Sequence, residues 1–122
     1  MSGRIKLAQN FYEDEFTCNC GCGLKGIDPL LVNLLQETRY EYGSSMVVTS
    51  GMRCPDWNKE VGGSEGSSHL WGMAADIEMT DPTLRWRMIR MMQKFFKRVG
   101  IAKSFIHVDV DYKKANPIIW VY

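Results

Sequence analysis

Ser67-Ser68-His69-Leu70-Trp71-Gly72-Met73-Ala74-Ala75-Asp76 is the stretch on which the reading of this chain turns. It holds one of only two histidines in 122 residues, with an aspartate seven positions later. That separation does not suit two ligands on adjacent turns of one helix, the geometry of an H-E-x-x-H zinc site. A loop carrying His69 and a strand carrying Asp76 would bring the two side chains to one point, with Gly72 as the turn and Met73 to Glu78 as the strand. The other histidine lies in Phe105-Ile106-His107-Val108-Asp109-Val110. Alternation there puts Ile106, Val108 and Val110 on one strand face and Phe105, His107 and Asp109 on the other. The aliphatic face is the core face, so His107 and Asp109 project together from a rigid support. Two neutral imidazoles and one carboxylate, with water in the fourth position, make a common catalytic zinc shell, and the chain reads as a small zinc hydrolase. The plainer alternatives are a solvated His69 unrelated to Asp76, and a His107 that merely pairs with Asp109 along its strand.

The pattern S-x-H-x-x-G-x-A-x-D, met by Ser67, His69, Gly72, Ala74 and Asp76, resembles that of the zinc D-alanyl-D-alanine carboxypeptidase and endopeptidase family, whose zinc centre is shared with the hedgehog signalling domain. Similar elements stand around it: Thr49-Ser50-Gly51-Met52-Arg53 before the motif, Asn58 and Val61-Gly62-Gly63 leading into it, and Phe105-Ile106-His107-Val108-Asp109 after it. Glu15-Phe16-Thr17-Cys18-Asn19-Cys20-Gly21-Cys22-Gly23 is similar to the opening of a branch of small members found in phage lysis proteins and bacterial cell-wall enzymes. The resemblance runs from about Phe11 to about Asp111. It implies one catalytic zinc ion held by His69, Asp76 and His107, and peptidoglycan stem peptides or cross-links as substrate. It also implies a substrate-binding role for Arg53, whose fork can hold a peptide carboxylate or stabilise a tetrahedral oxyanion. Ser67 is read as bonding substrate or orienting His69.

One position departs from the wider group. Three residues before the last histidine ligand, where many members carry Glu or Asp as general base, this chain has Ser104, and a hydroxyl holds its proton too tightly to act as a base at neutral pH. Asp109 is the substitute, as base or as the partner that orients the His107 imidazole. Two rival readings stay open: a non-catalytic zinc-containing wall-binding module, and a bacterial carboxypeptidase acting on soluble muropeptides.

The length suits one domain over residues 1–122 with a core of its own. A net charge of +1 supplies no global field to recruit nucleic acid or an acidic membrane, and no apolar run is long enough to span one. The protein is expected to work as a monomer without membrane insertion. Its first ten residues are basic but lack an apolar segment, so they do not read as a secretory signal; the expectation is a phage endolysin made in the host cytoplasm and admitted late to the wall. Cys18, Cys20 and Cys22, with Cys54 after Arg53, read as free thiols. A four-cysteine zinc site is the alternative, against which stands the lack of a C-x2-C knuckle; a disulfide involving Cys54 is another.

Asp28-Pro29 and Asp81-Pro82 each combine an N-cap with a proline suited to the first helical position. The first helix repeats Leu31, Leu34, Leu35, Thr38 and Tyr42 on one face and stops at Gly43. The second is expected to run to about Val99-Gly100, burying Leu84, Met88, Met91, Met92, Phe95 and Val99 and exposing Arg87, Arg90, Lys94, Lys97 and Arg98. Strands are expected at 46–49, 73–78, 105–110 and 118–122. The Gly- and Ser-rich segment from Cys54 to Ser68 reads as a long loop walling a cleft, with Trp57 and Trp71 as substrate platforms. Two helices on a small, mainly antiparallel sheet make an α+β fold.

Overall fold

The computed structural model describes residues 3–122; Met1 and Ser2 of the N-terminal segment read above lie outside the described residues. Strands β1 (Lys6–Ala8) and β2 (Phe11–Tyr12) form a small antiparallel pair. Helix α1 (Pro29–Tyr42) follows, capped by the Asp28 side chain on the Leu30 N–H at 2.8 Å and ended by Gly43 at φ 78°. Strand β3 (Val48–Ser50), a short helix α2 (Pro55–Glu60), a 3-10 turn over Ser68–Trp71 and strand β4 (Ala74–Glu78) come next. Helix α3 (Pro82–Phe95), capped by Asp81 on the N–H groups of Thr83 and Leu84, precedes β5 (Arg98–Ile101), β6 (Phe105–Asp109) and β7 (Ile118–Val121). Five strands line up as β3-β4-β6-β5-β7, all antiparallel except the β5–β7 pair. This is the expected α+β class.

Two expectations need correction. The segment from Cys54 to Ser68 is not an unbroken loop: α2 occupies its first half, and at six residues it is too short to show an apolar period. The second long helix also stops at Phe95, well before Val99-Gly100. Phe96 turns to extended geometry, and Arg98–Ile101 pairs between two strands. Val99 is buried in either arrangement, so apolar spacing alone did not distinguish helix from strand there. Arg98 consequently leaves the cationic helix face and is buried beside Asp109.

The sheet divides the molecule into a core side and a site side. Ala75 and Ile77 of β4, Ile106 and Val108 of β6 and Val99 of β5 pack with Leu31, Leu35 and Tyr42 of α1 and Met88 and Met92 of α3. Their alternate neighbours, Asp76, His107 and Asp109, emerge opposite. Registry then decides what meets: Ser50 lies beside Asp76, Asp76 beside His107, His107 beside Gly100, and Gly100 beside Trp120. All five strands thus give one residue to a single row across the sheet.

Candidate metal centre

His69 enters from the 3-10 turn that lies over this row. Ser67 caps the turn, its hydroxyl accepting from the His69 N–H at 3.3 Å, and Gly72 closes it at φ 69°. The His69 Nδ1–H donates to the Gly51 carbonyl at 2.6 Å, which turns Nε2 towards Asp76 Oδ1, 3.2 Å away. His107 faces the same oxygen with the other kind of nitrogen: Nε2–H donates to Asp109 Oδ2 at 2.7 Å, leaving Nδ1 2.9 Å from Asp76 Oδ1. One ligand atom from each of His69, Asp76 and His107 lies within 4.8 Å of the others, and all three residues are buried.

That convergence tests whether a metal fits. A carbonyl can only accept and an ionised carboxylate can only accept, so each imidazole's proton is committed to its rear partner. In their neutral forms the two forward nitrogens then aim lone pairs at a carboxylate oxygen. Such a cluster needs a shared cation, and two nitrogens with one oxygen suit zinc. Burial opposes the charge on His107, but hydrogen bonds to Asp109 and Asp76 outweigh it and raise its pKa. Burial likewise disfavours ionised Asp76, yet His107 and His69 hold its carboxyl well below the usual carboxylate range.

Around the triad lies an open-mouthed cavity of about 490 Å³, lined among others by Arg53, Ser67, Arg98, Asp109, Trp120 and Tyr122. Arg53 Nη2 donates to Asp76 Oδ2 at 3.3 Å, Nη1 to Asn58 Oδ1 at 3.2 Å and Nε to Ser50 Oγ at 3.1 Å. Asn58 is itself held by its side-chain amide on the Ser64 carbonyl at 2.8 Å. Asp109 is wholly buried, and both of its oxygens are engaged: Oδ2 with His107, and Oδ1 with Arg98 Nε at 2.7 Å and the Asp111 N–H at 3.1 Å. Burial works against its charge, but His107 and Arg98 hold its pKa low. Ser104 is exposed and lies outside the cavity lining.

The aromatic platforms differ from expectation. Trp57 and Trp71 do not line the cavity, and Trp71 is 69% exposed. Trp120 takes that place, its ring centroid 5.4 Å from that of His107 and 5.0 Å from the Arg98 guanidinium carbon. Gly100 makes room for it, since a Cβ there would meet the indole at 2.6 Å. Trp120 did not stand out in the sequence and Arg98 was read only as part of an exposed cationic helix face, because their places depend on the pairing of β5 with β6 and β7, which no local pattern announces.

Among curated proteins none matches the chain. The sequence profile described as peptidase M15 matches residues 9–109, a span that contains the triad, Arg53, Ser67 and Asp109. With its His69–Asp76–His107 cluster, the chain belongs to the peptidase M15 family of zinc D-alanyl-D-alanine peptidases.

Proposed function

We propose that the protein is a zinc-dependent peptidase of peptidoglycan stem peptides or cross-links, acting as a phage endolysin on the wall after its release from the host cytoplasm. The convergence of His69, Asp76 and His107 in the wall of an open cavity carries this reading. The family match supports the substrate class, and the likeness of the Glu15–Gly23 segment to the opening of small members found in phage lysis proteins and bacterial cell-wall enzymes agrees with action on the wall. His69, Asp76 and His107 would hold a zinc ion, which would supply Lewis acidity towards a carbonyl and a neighbouring water. Arg53 is the polar group best placed to read substrate. Three of its five N–H groups are engaged, leaving one on each terminal nitrogen for a peptide carboxylate or a developing oxyanion.

Asp109 acts in this reading as a positioning residue. With Oδ2 on His107 and Oδ1 on Arg98, it fixes the imidazole tautomer and ring orientation rather than standing free to take a proton. Ser67 holds the turn that carries His69, and its own hydroxyl proton remains available to substrate. Purified sacculi incubated with the zinc-loaded protein should release soluble peptides, and mass spectrometry of the muropeptides should identify the bond cut. Casein should stay intact. Binding to sacculi with no muropeptide cleaved would overturn the peptidase reading in favour of a wall-binding module. Cleavage of soluble muropeptides but not sacculi would overturn the lytic role alone.

A further inference from the structure

Outside the cavity, the sulfurs of Cys18, Cys20, Cys22 and Cys54 all lie within 4.8 Å of one another. Cys18 Sγ and Cys20 Sγ are 3.5 Å apart, and Cys20 Sγ and Cys54 Sγ 3.6 Å. A disulfide requires about 2.05 Å. Four sulfurs each about 2.3 Å from a central zinc ion would stand about 3.8 Å apart by tetrahedral geometry. These two edges are close to that ligand spacing, and the others stay within 4.8 Å.

The backbone explains how so compressed a run can converge without a C-x2-C knuckle. Gly21 and Gly23 adopt φ of 87° and 81°, a left-handed region open to glycine, so the chain turns back on itself between cysteines. The Cys18 N–H closes the loop on the Leu24 carbonyl at 2.9 Å. Cys54 arrives from the N-terminus of α2. Its N–H donates to Cys18 Sγ at 3.3 Å, and its own sulfur accepts from the Trp57 N–H at 3.4 Å, contacts that hold both sulfurs in place. Cys18 is buried whereas Cys20 and Cys22 are exposed, which leaves an ion a way in.

We propose that Cys18, Cys20, Cys22 and Cys54 hold a second, structural zinc ion as a closed four-thiolate site. On binding, each sulfur exchanges any S–H bond for a Zn–S bond, the displaced protons pass to solvent, and no oxidation state changes.

Such an ion would staple the segment after Phe16 to the turn that supplies both Gly51 and Arg53 to the other centre. The two segments already touch closely: the Met52 N–H donates to the Phe16 carbonyl at 2.8 Å, and a Cβ on Gly51 would come within 2.7 Å of Phe16 Cα.

The test is the metal content of the full chain, reconstituted with zinc under reducing conditions. Two zinc ions per chain are expected by elemental analysis. A His69→Ala/His107→Ala variant should keep one, and its cobalt-loaded form should show thiolate-to-cobalt charge-transfer absorption. Cys20→Ser/Cys22→Ser should abolish that absorption and retain one zinc at the histidine centre. If either variant fails to fold, the cobalt spectrum of the wild type decides the matter. One zinc per chain, no charge-transfer band, and four thiols that react freely with a thiol reagent in excess zinc would overturn the proposal. The band reports sulfur ligation alone, so its absence is distinguishable from failure of the peptidase reading.

Discussion

Asp76 bears three demands on one carboxylate: Oδ1 faces both imidazoles while Oδ2 takes the Arg53 guanidinium. Arg53 therefore links the candidate metal ligands to the cavity that it lines. Arg53→Lys keeps the charge but loses the planar fork, and turnover on muropeptides should fall by about a hundredfold, the scale of losing an oxyanion donor, while zinc content stays unchanged. Asp109→Asn should weaken zinc binding by about 10–100-fold, with most of the lost activity restored in excess zinc. Competition against a chromophoric chelator measures the first effect. Loss of activity at unchanged zinc affinity would instead make Asp109 the base. In the zinc-free protein His107 has a raised pKa, so its contribution to stability is complete below the unfolded value of about 6.5 and disappears as pH rises through the folded value. The stability difference between wild type and His107→Gln, read from denaturant melts without zinc, should accordingly be larger at about pH 5.5 than at about pH 8.

Strand β5 shows what one short element contributes. Its Arg98 reaches Asp109, its Val99 enters the core, and its Gly100 leaves the space that Trp120 fills against His107. Gly100→Ala should displace the indole and cost about 1–3 kcal/mol, the usual penalty of overpacking. A denaturant melt gives the cost, and a red-shifted tryptophan emission that Trp120→Phe removes would report the displacement. The same strand marks a limit of sequence reading. Both Asp-Pro helix starts were legible because a capping side chain and a proline act within a few residues of where they stand. The triad was legible because the chain has only two histidines and an alternating strand aims one of them away from the core. Strand β5 was not, since Val99 continues the helical stripe of Met92 and Phe95 and fits a buried strand equally well. Helix α2 was hidden by its length, and its cap is a cysteine side chain accepting from Trp57, a role the sequence did not suggest.

Across the whole molecule the centre is assembled from distant parts: a turn at 68–71, two central strands, the Gly51–Arg53 corner and the C-terminal strand that brings Trp120. Among the described residues no helix is long and apolar enough to cross a membrane. The row Ser50–Asp76–His107–Gly100–Trp120 has a further consequence for how the chain reaches its final form. Side chains alternate along a strand, so sliding β6 by one residue against β4 would set Ile106 or Val108 beside Asp76 and turn His107 into the core. No such pairing can bind the ion with three protein ligands. A zinc ion held there would therefore discriminate between alignments of the sheet and reward only the correct one, as a proofreader of strand register. In refolding followed by stopped flow, metal capture by the His69–Asp76–His107 centre should coincide with the slowest phase of sheet formation. Excess zinc should reduce the misaligned fraction without accelerating the earlier pairing of α1 with α3.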